Sequence, residues 1–490
     1  MAFIKKLAGE TILYGISNIL PRILNYLVIT YYLTRKFPEN IYAKHGTYYA
    51  FTAFILVIFS FRMETAFFRF GNQKQQRESA FGTALIIVAV ISVLLSGLIF
   101  GFARPLADIL SANPDEYYIV QWFVAITLLD AVVAVPFARL RLEGRPLFFA
   151  AVKVLNVVIN IALIFLFLEM IPWLADHGHR FWQGWVDKNR LMDYVFLANL
   201  LASAAIALFM IPYFHFRTWT FDKALARKMM IYAAPLVVVG AASMVNLFAD
   251  RLLIANWVGF DDSGIYNGAV KIAILMNLFA TAFNYAAEPF FFSQSDHTDA
   301  RTIYARVAQA FTLAASVLML IILLYLDQIQ ILIGRNYRAG LTIIPYSLVA
   351  YVFLGLYYNF SIWFKLKDRT GLGALIGIGG VVVTYLVNYL TLKVWHTGYI
   401  GSAYAALACF LFMALATYVT GQRNFKIPYD LGRMTAYVGG GLLIFGVSEL
   451  LRHYVTGTLV IFLLNTFLLV SYIALVWLID RKNLKALLRF

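Results

Sequence analysis

Nine charged residues stand four or more residues inside the long apolar stretches of this chain: Arg22, Arg62, Glu64, Asp130, Lys153, Asp250, Arg251, Lys271 and Glu288. An Arg, Lys or Asp at the centre of a hydrocarbon layer costs about 2.5–3.5 kcal/mol, so these groups are expected to turn toward a cavity or a partner. In the first stretch Tyr14, Asn18, Arg22 and Asn25 follow one another at four, four and three residues, which keeps them on one helical stripe. Lys153, Asn156 and Asn160 repeat the device, as do Ser243, Asn246 and Asp250, and Asn277, Asn284 and Glu288. A guanidinium in such a stripe can grip phosphate through paired hydrogen bonds, and amides and phenols can hold hydroxyls. A carboxylate that alternates between charged and neutral can tie ion flow to a conformational change. Blander readings stand beside these. Arg62, Glu64 and Lys153 lie near helix ends and can snorkel; Asp250 with Arg251, or Asp130 with a basic neighbour, can form structural ion pairs; asparagines can join helices. Arg22, about 14 residues into its stretch, reaches neither interface easily.

The elements that carry these residues follow from composition. Of 490 residues 62% are hydrophobic and 13% charged, which excludes a soluble fold. The apolar residues fall into blocks of about 20, the length that crosses a bilayer. Fourteen spans are predicted, numbered here in order; the first seven run 8–33, 46–68, 79–103, 117–137, 148–171, 193–214 and 231–257. The second seven run 266–292, 305–326, 342–364, 371–392, 400–420, 434–451 and 457–479. The fold class is therefore an all-α polytopic membrane protein, and the even count puts both termini on one side. Outside the spans about 24 of the basic residues fall on the side of the N-terminus and about 11 on the other, so that both termini are expected in the cytoplasm. Arg35, Lys36 and Lys44 in the first outer loop run against this bias. The net charge of +15 belongs to this topology, and no nucleic-acid partner is expected.

Residues 1–215 are expected to form one lobe of six spans, 216–230 a cytoplasmic connection, 231–420 a second lobe of six, and 421–490 two appended spans with a tail. A weak internal echo points the same way: Gly46-Thr47-Tyr48 and Glu64 in span 2 match Gly264-Ile265-Tyr266 and Glu288 in span 8. Parallel repeats of this kind occur in transporters. The outer loops offer no recognisable catalytic constellation; His177 and His179 alone make no metal site, and no phosphate-binding loop precedes a helix of a soluble domain. Cys409 is the single cysteine, so no intrachain disulfide forms. The basic N-terminus leads into a retained first helix, because the stripe residues interrupt its apolar core and no small-residue cleavage site follows.

From span 7 onward the sequence reads Tyr232-Ala-Ala-Pro235, Asp250-Arg251-Leu252, Gly264-Ile265-Tyr266, Lys271 and Glu288-Pro289, followed by Phe290, Phe291 and Phe292. This resembles the polysaccharide or oligosaccharide flippases (O-antigen translocase type) of the multidrug/oligosaccharidyl-lipid/polysaccharide (MOP) exporter superfamily. Glu10 through Tyr14-Gly15, the Arg22 stripe, and Glu64-Thr-Ala-Phe-Phe-Arg69 resemble that family's first two helices. Lys271 falls where the family is often basic, whereas Lys153 and Arg62 match no motif of it.

The resemblance implies two six-helix lobes around a basic cavity, MATE-like, moving an undecaprenyl-pyrophosphate-linked oligosaccharide to the outer leaflet of the cell inner membrane. It implies a transporter and not an enzyme. The residues expected to meet substrate are Arg22, Asn18, Asn25, Tyr14, Arg251, Lys271, Lys153 and Asn156; those expected to couple an ion are Asp130, Glu288, Glu64 and Asp250. No resident cofactor is expected, only an H⁺ or Na⁺ gradient. Expected partners are the lipid-linked oligosaccharide, membrane lipid, and a glycan polymerase and glycosyltransferases. The alternatives are a cation-coupled drug exporter relying on Asp130 and Glu64, a lipid II flippase, a membrane scaffold and a glycan polymerase.

Overall fold

The computed structural model describes residues 28–488 apart from 74, 179, 183, 216–219, 295–298, 368 and 456. Among the described residues every regular element is helical, and thirteen helices are long and apolar enough to span a bilayer. They correspond one for one to spans 2–14. Spans 2 to 7 are Glu39–Phe70, Arg77–Gly101, Pro114–Leu142, Leu147–Asp176, Lys188–Phe209 and Lys223–Trp257. Spans 8 to 14 are Phe260–Tyr285, Ala300–Leu324, Arg335–Leu366, Gly371–Val394, Ile400–Asn424, Leu431–Arg452 and Thr458–Arg481. Most of predicted span 1, including Tyr14, Asn18, Pro21, Arg22 and Asn25, lies outside the described residues; its end is the short helix Thr30–Lys36.

Two departures from regular helix matter for the site. Span 2 breaks at Phe61 and Arg62, both left-handed with φ of 44° and 53°, a conformation that costs a non-glycine residue on the order of 1 kcal/mol or more and persists only where surroundings impose it. Spans 5 and 11 both contain a π-helical turn in their last part, Leu166–Met170 and Tyr389–Val394. Such turns concentrate where a helix must re-aim side chains, and these two helices are the fifth members of the two proposed six-span repeats.

Span 7 runs unbroken for 35 residues from Lys223. Its length of about 52 Å at 1.5 Å per residue exceeds the ~30 Å hydrocarbon layer. From Lys223 on, the expected 216–230 connection is therefore helical. The Asp222 carboxylate accepts from the Ala224 and Leu225 amides, and this N-cap starts the helix two turns before the apolar block.

The chain forms two compact units, Met1–Asn267 and Gly268–Phe490. Within the first unit, span 7 packs against both pieces of span 2, and span 4 packs against spans 2, 3 and 6. At the end of span 4 Arg139, 8% exposed, takes Glu78 in two hydrogen bonds of 3.0 and 2.6 Å and Glu143 in a third of 2.8 Å. Of the cations that ran against the charge bias, Lys36 binds Glu169 at 2.8 Å and Lys44 binds Glu116, while the Arg35 guanidinium lies 3.6 Å from the centre of the Tyr31 ring.

Within the second unit spans 13 and 14 join span 9 through buried polar contacts. Ser448 donates to Asn465 at 2.7 Å, and the Asn465 amide donates to the Leu324 carbonyl. Asp480, 5% exposed at a kink in the last helix, receives hydrogen bonds from Tyr437 and Gln309.

Candidate functional site

Asp130 stands midway along the helix Tyr117–Leu142. It is exposed although Ile126, Thr127 and Ala131 around it are buried. The groups that act on its carboxylate come from three other spans: Lys153 from span 5 through its charge, the Ser203 hydroxyl from span 6 as a hydrogen-bond donor, and Tyr49 from span 2. Asp130 is therefore flanked by side chains from three other spans. Tyr49 in turn accepts a hydrogen bond from the Asn199 amide, and the Lys153 ammonium sits 4.4 Å from the centre of the Phe137 ring. Further along the span 5 stripe, Asn156 is half-buried and Asn160 is 8% exposed, its Oδ1 lacking a hydrogen-bond partner. A carboxylate, an ammonium, an amide and two hydroxyls at mid-depth form a site able to exchange a cation or proton at Asp130 while Lys153 offers a counter-charge. The sequence pointed to Asp130, Lys153 and Asn156; it gave no reason to choose Tyr49, Asn199 or Ser203 among many polar residues.

The break in span 2 positions a second group. Arg62 Nη1 is 3.7 Å from Glu64 Oε1, while Glu64 Oε2 is buried with no hydrogen-bond partner. Arg62 does not snorkel away from the protein. Its guanidinium lies against Gly240 of span 7, where a Cβ would come within 2.5 Å of Nη2. Just beyond, the Arg69 guanidinium covers the Tyr232 ring at 4.4 Å.

At the other end of span 2, spans 2 and 8 cross closely. A Cβ at Gly264 would stand 2.0 Å from the Glu39 carbonyl oxygen, and one at Gly46 would stand 2.1 Å from the Asn267 amide nitrogen. The two glycines of the sequence echo are thus the residues that let these backbones meet. Beside them Asp250 and Arg251 are engaged with their own surroundings. Arg251, 4% exposed, reaches Asp250 Oδ1 at 3.2 Å and the Leu247 carbonyl at 3.0 Å, and Tyr266 donates to the other Asp250 oxygen at 2.5 Å. In this conformation the two residues form a buried structural cluster, where substrate contact had been expected of Arg251 and ion coupling of Asp250. Desolvation explains it: two charges with so little water are held by each other and by the phenol.

Within the second unit Glu288 binds Lys365 at 2.8 Å. It is therefore committed to an ion pair at a helix end, unlike Asp130. Lys271 is half-buried on span 8. The stripe Tyr14, Asn18, Arg22 and Asn25 lies outside the described residues.

Thirteen described helices long and apolar enough to cross a bilayer, with charged residues midway along some of them, define a multi-pass membrane protein. The chain belongs to the polysaccharide biosynthesis protein family, whose family model matches residues 7–295. Its fold is that of the MOP superfamily. It is similar to the lipid II flippase MurJ in an inward closed conformation (13% identity, TM-score 0.68), covering 95% of this chain and 99% of that one. It is also similar to an inward-facing multidrug resistance MATE transporter (12% identity, TM-score 0.66), covering 87% of this chain and 95% of the other. A MOP superfamily transporter from Pyrococcus furiosus, described as having a binding pocket of reverse polarity, matches at 14% identity and TM-score 0.60 over 89% of this chain and 96% of its own. Identities this low establish the fold alone. No curated protein sequence matches the chain.

Proposed function

We propose that this protein carries a lipid-linked oligosaccharide, with an undecaprenyl-pyrophosphate carrier, from the inner to the outer leaflet of the cell inner membrane by alternating access. The observation that carries this reading is the conjunction of a polysaccharide biosynthesis family with a transporter fold. Such a cargo has a diphosphate, a glycan and a polyprenyl tail. Arg22 is assigned the diphosphate, because a planar guanidinium grips two phosphate oxygens; Tyr14, Asn18, Asn25 and Asn156 are assigned the first sugars. Lys271 receives the head group late, near the outer leaflet.

Asp130 is the coupling group. Binding H⁺ or Na⁺ there cancels its attraction for Lys153 and so favours a different packing of spans 2, 4, 5 and 6. Both termini are placed in the cytoplasm. Reporter fusions at Asn424 and His177 test that map, since finding both on one side of the membrane is incompatible with it. Glycosyltransferases and a glycan polymerase are the proposed neighbours in the assembly sequence.

A second reading is favoured by Asp130 itself: an accessible mid-membrane carboxylate on a MATE-like fold also suits a cation-coupled drug exporter. One experiment separates the two. The purified protein is reconstituted in proteoliposomes with a fluorescent lipid-linked oligosaccharide, and exposure of the glycan to an external lectin is followed beside efflux of ethidium. Glycan exposure that depends on the protein, without ethidium efflux, is expected. The opposite pattern sinks the flippase reading.

A further inference from the structure

The helices that begin at Glu39, Tyr117 and Leu191 start at one end of the first unit, and a cavity of about 430 Å³ opens among their first turns. That end is the one predicted to face outward. The cavity is distinct from the Asp130 site, which lies twelve residues beyond Tyr118, roughly 18 Å along the same helix. Its volume falls within the range of small-ligand pockets, about 300–1,000 Å³.

Its walls present donors and acceptors in alternation. Lys44 pairs with Glu116, whose Oε1 also accepts from the Asn113 amide at 3.3 Å. Tyr118 donates to Asp193 at 2.5 Å, and Arg190 stands near enough to Asp193 to act on it through its charge. Glu116 Oε2 is buried with no hydrogen-bond partner, an acceptor left unmatched in the empty protein. Three helix N-termini would ordinarily attract an anion. Here Glu116 and Asp193 stand at two of those ends, and the lining cations are already matched, Lys44 by Glu116, Lys36 by Glu169, Lys188 by Asp176 and Arg190 acting on Asp193, so a phosphate would meet carboxylates beside each of them. A sugar hydroxyl is both donor and acceptor and finds a partner of either kind.

We propose that this cavity is a second binding site, for the glycan portion of the cargo, which holds a short oligosaccharide at the outer mouth after it has crossed. The proposal rests on the reading of a glycan as cargo and adds to it a docking point that requires neither lipid nor diphosphate.

The test uses the full-length protein in detergent micelles and saturation-transfer NMR, with the oligosaccharide freed from its carrier lipid by mild acid as the probe. The wild type is expected to bind it. Asp193→Asn and Arg190→Ala should each weaken binding about tenfold or more, the scale of one lost hydrogen bond to a charged group. Tyr118→Phe removes one hydroxyl at little risk to folding and should weaken binding in the same direction, while Arg335→Ala, an exposed residue of the second unit, should leave it unchanged. Thermal melts of each variant show that the fold is kept. Absence of binding by the wild type, wild-type binding by all three cavity variants, or displacement of the glycan by inorganic phosphate overturns the proposal. Those outcomes leave the flippase reading standing, whereas glycan binding with no translocation in proteoliposomes would overturn that reading alone.

Discussion

The guanidinium of Arg62 on span 2 is pressed against Gly240 on span 7, so that a Cβ at residue 240 would lie 2.5 Å from Nη2 and 2.8 Å from Nε. Alanine ordinarily stabilises a helix over glycine by about 1 kcal/mol. Here the added methyl must displace an arginine held at a strained break, and overpacking costs about 1–3 kcal/mol. Gly240→Ala should therefore lower stability on balance, and Arg62→Ala should remove most of that penalty. Unfolding of the two single variants and the double variant in detergent measures the coupling. Additive effects would show that the contact carries no energy.

The two glycines at the crossing of spans 2 and 8 should differ in severity. Gly264 faces the Glu39 main-chain carbonyl, which can move only with its helix, while Gly46 faces the Asn267 side chain, which can swing aside. Gly264→Ala should pry the crossing open and Gly46→Ala should be milder. A cysteine at Tyr42, 1% exposed, reports the difference, because the native Cys409 is itself buried and silent. Labelling by an impermeant maleimide should rise in Gly264→Ala well above Gly46→Ala; equal labelling contradicts the assignment.

Of the carboxylates, Asp130 is exposed and flanked by groups from spans 2, 5 and 6, whereas Glu288 is paired with Lys365. Asp130→Asn should reduce the gradient-driven component of transport about tenfold, the effect of losing roughly 1.4 kcal/mol of coupling. Glu288→Gln should leave transport near normal and cost at most about 1 kcal/mol of stability, as half-exposed pairs do. Transport in proteoliposomes with and without imposed H⁺ and Na⁺ gradients checks both. Indifference of the wild type to either gradient removes the coupling role.

Arg22→Ala should reduce export roughly 10–100-fold, the equivalent of one or two charge-assisted hydrogen bonds, while membrane abundance is kept. Arg22→Lys should recover part of the activity, since it restores the charge without the planar fork. If Arg22 only neutralises a buried acid, abundance falls instead, and normal export by Arg22→Ala defeats the site altogether.

Sequence alone determined the membrane class and the positions of spans 2–14, because hydrocarbon thickness fixes how many apolar residues must run together whatever their neighbours are. It also marked the residues that cannot face lipid, Asp130 and Lys153 among them, since the cost of burying a charge depends on depth more than on tertiary detail. Tertiary structure decided what each charge does. The Asp250–Arg251 pair was already offered by their adjacency in sequence, but Tyr266 came to Asp250 and Lys365 to Glu288 from other helices, and a partner on another helix is chosen by a proximity that helical spacing does not encode. Lys36 and Glu169 are 133 residues apart, so this pairing too came into view only with the packed helices. The break at Phe61 and Arg62 lay equally out of reach: neither residue favours left-handed backbone, and only the helices packed around them hold it there.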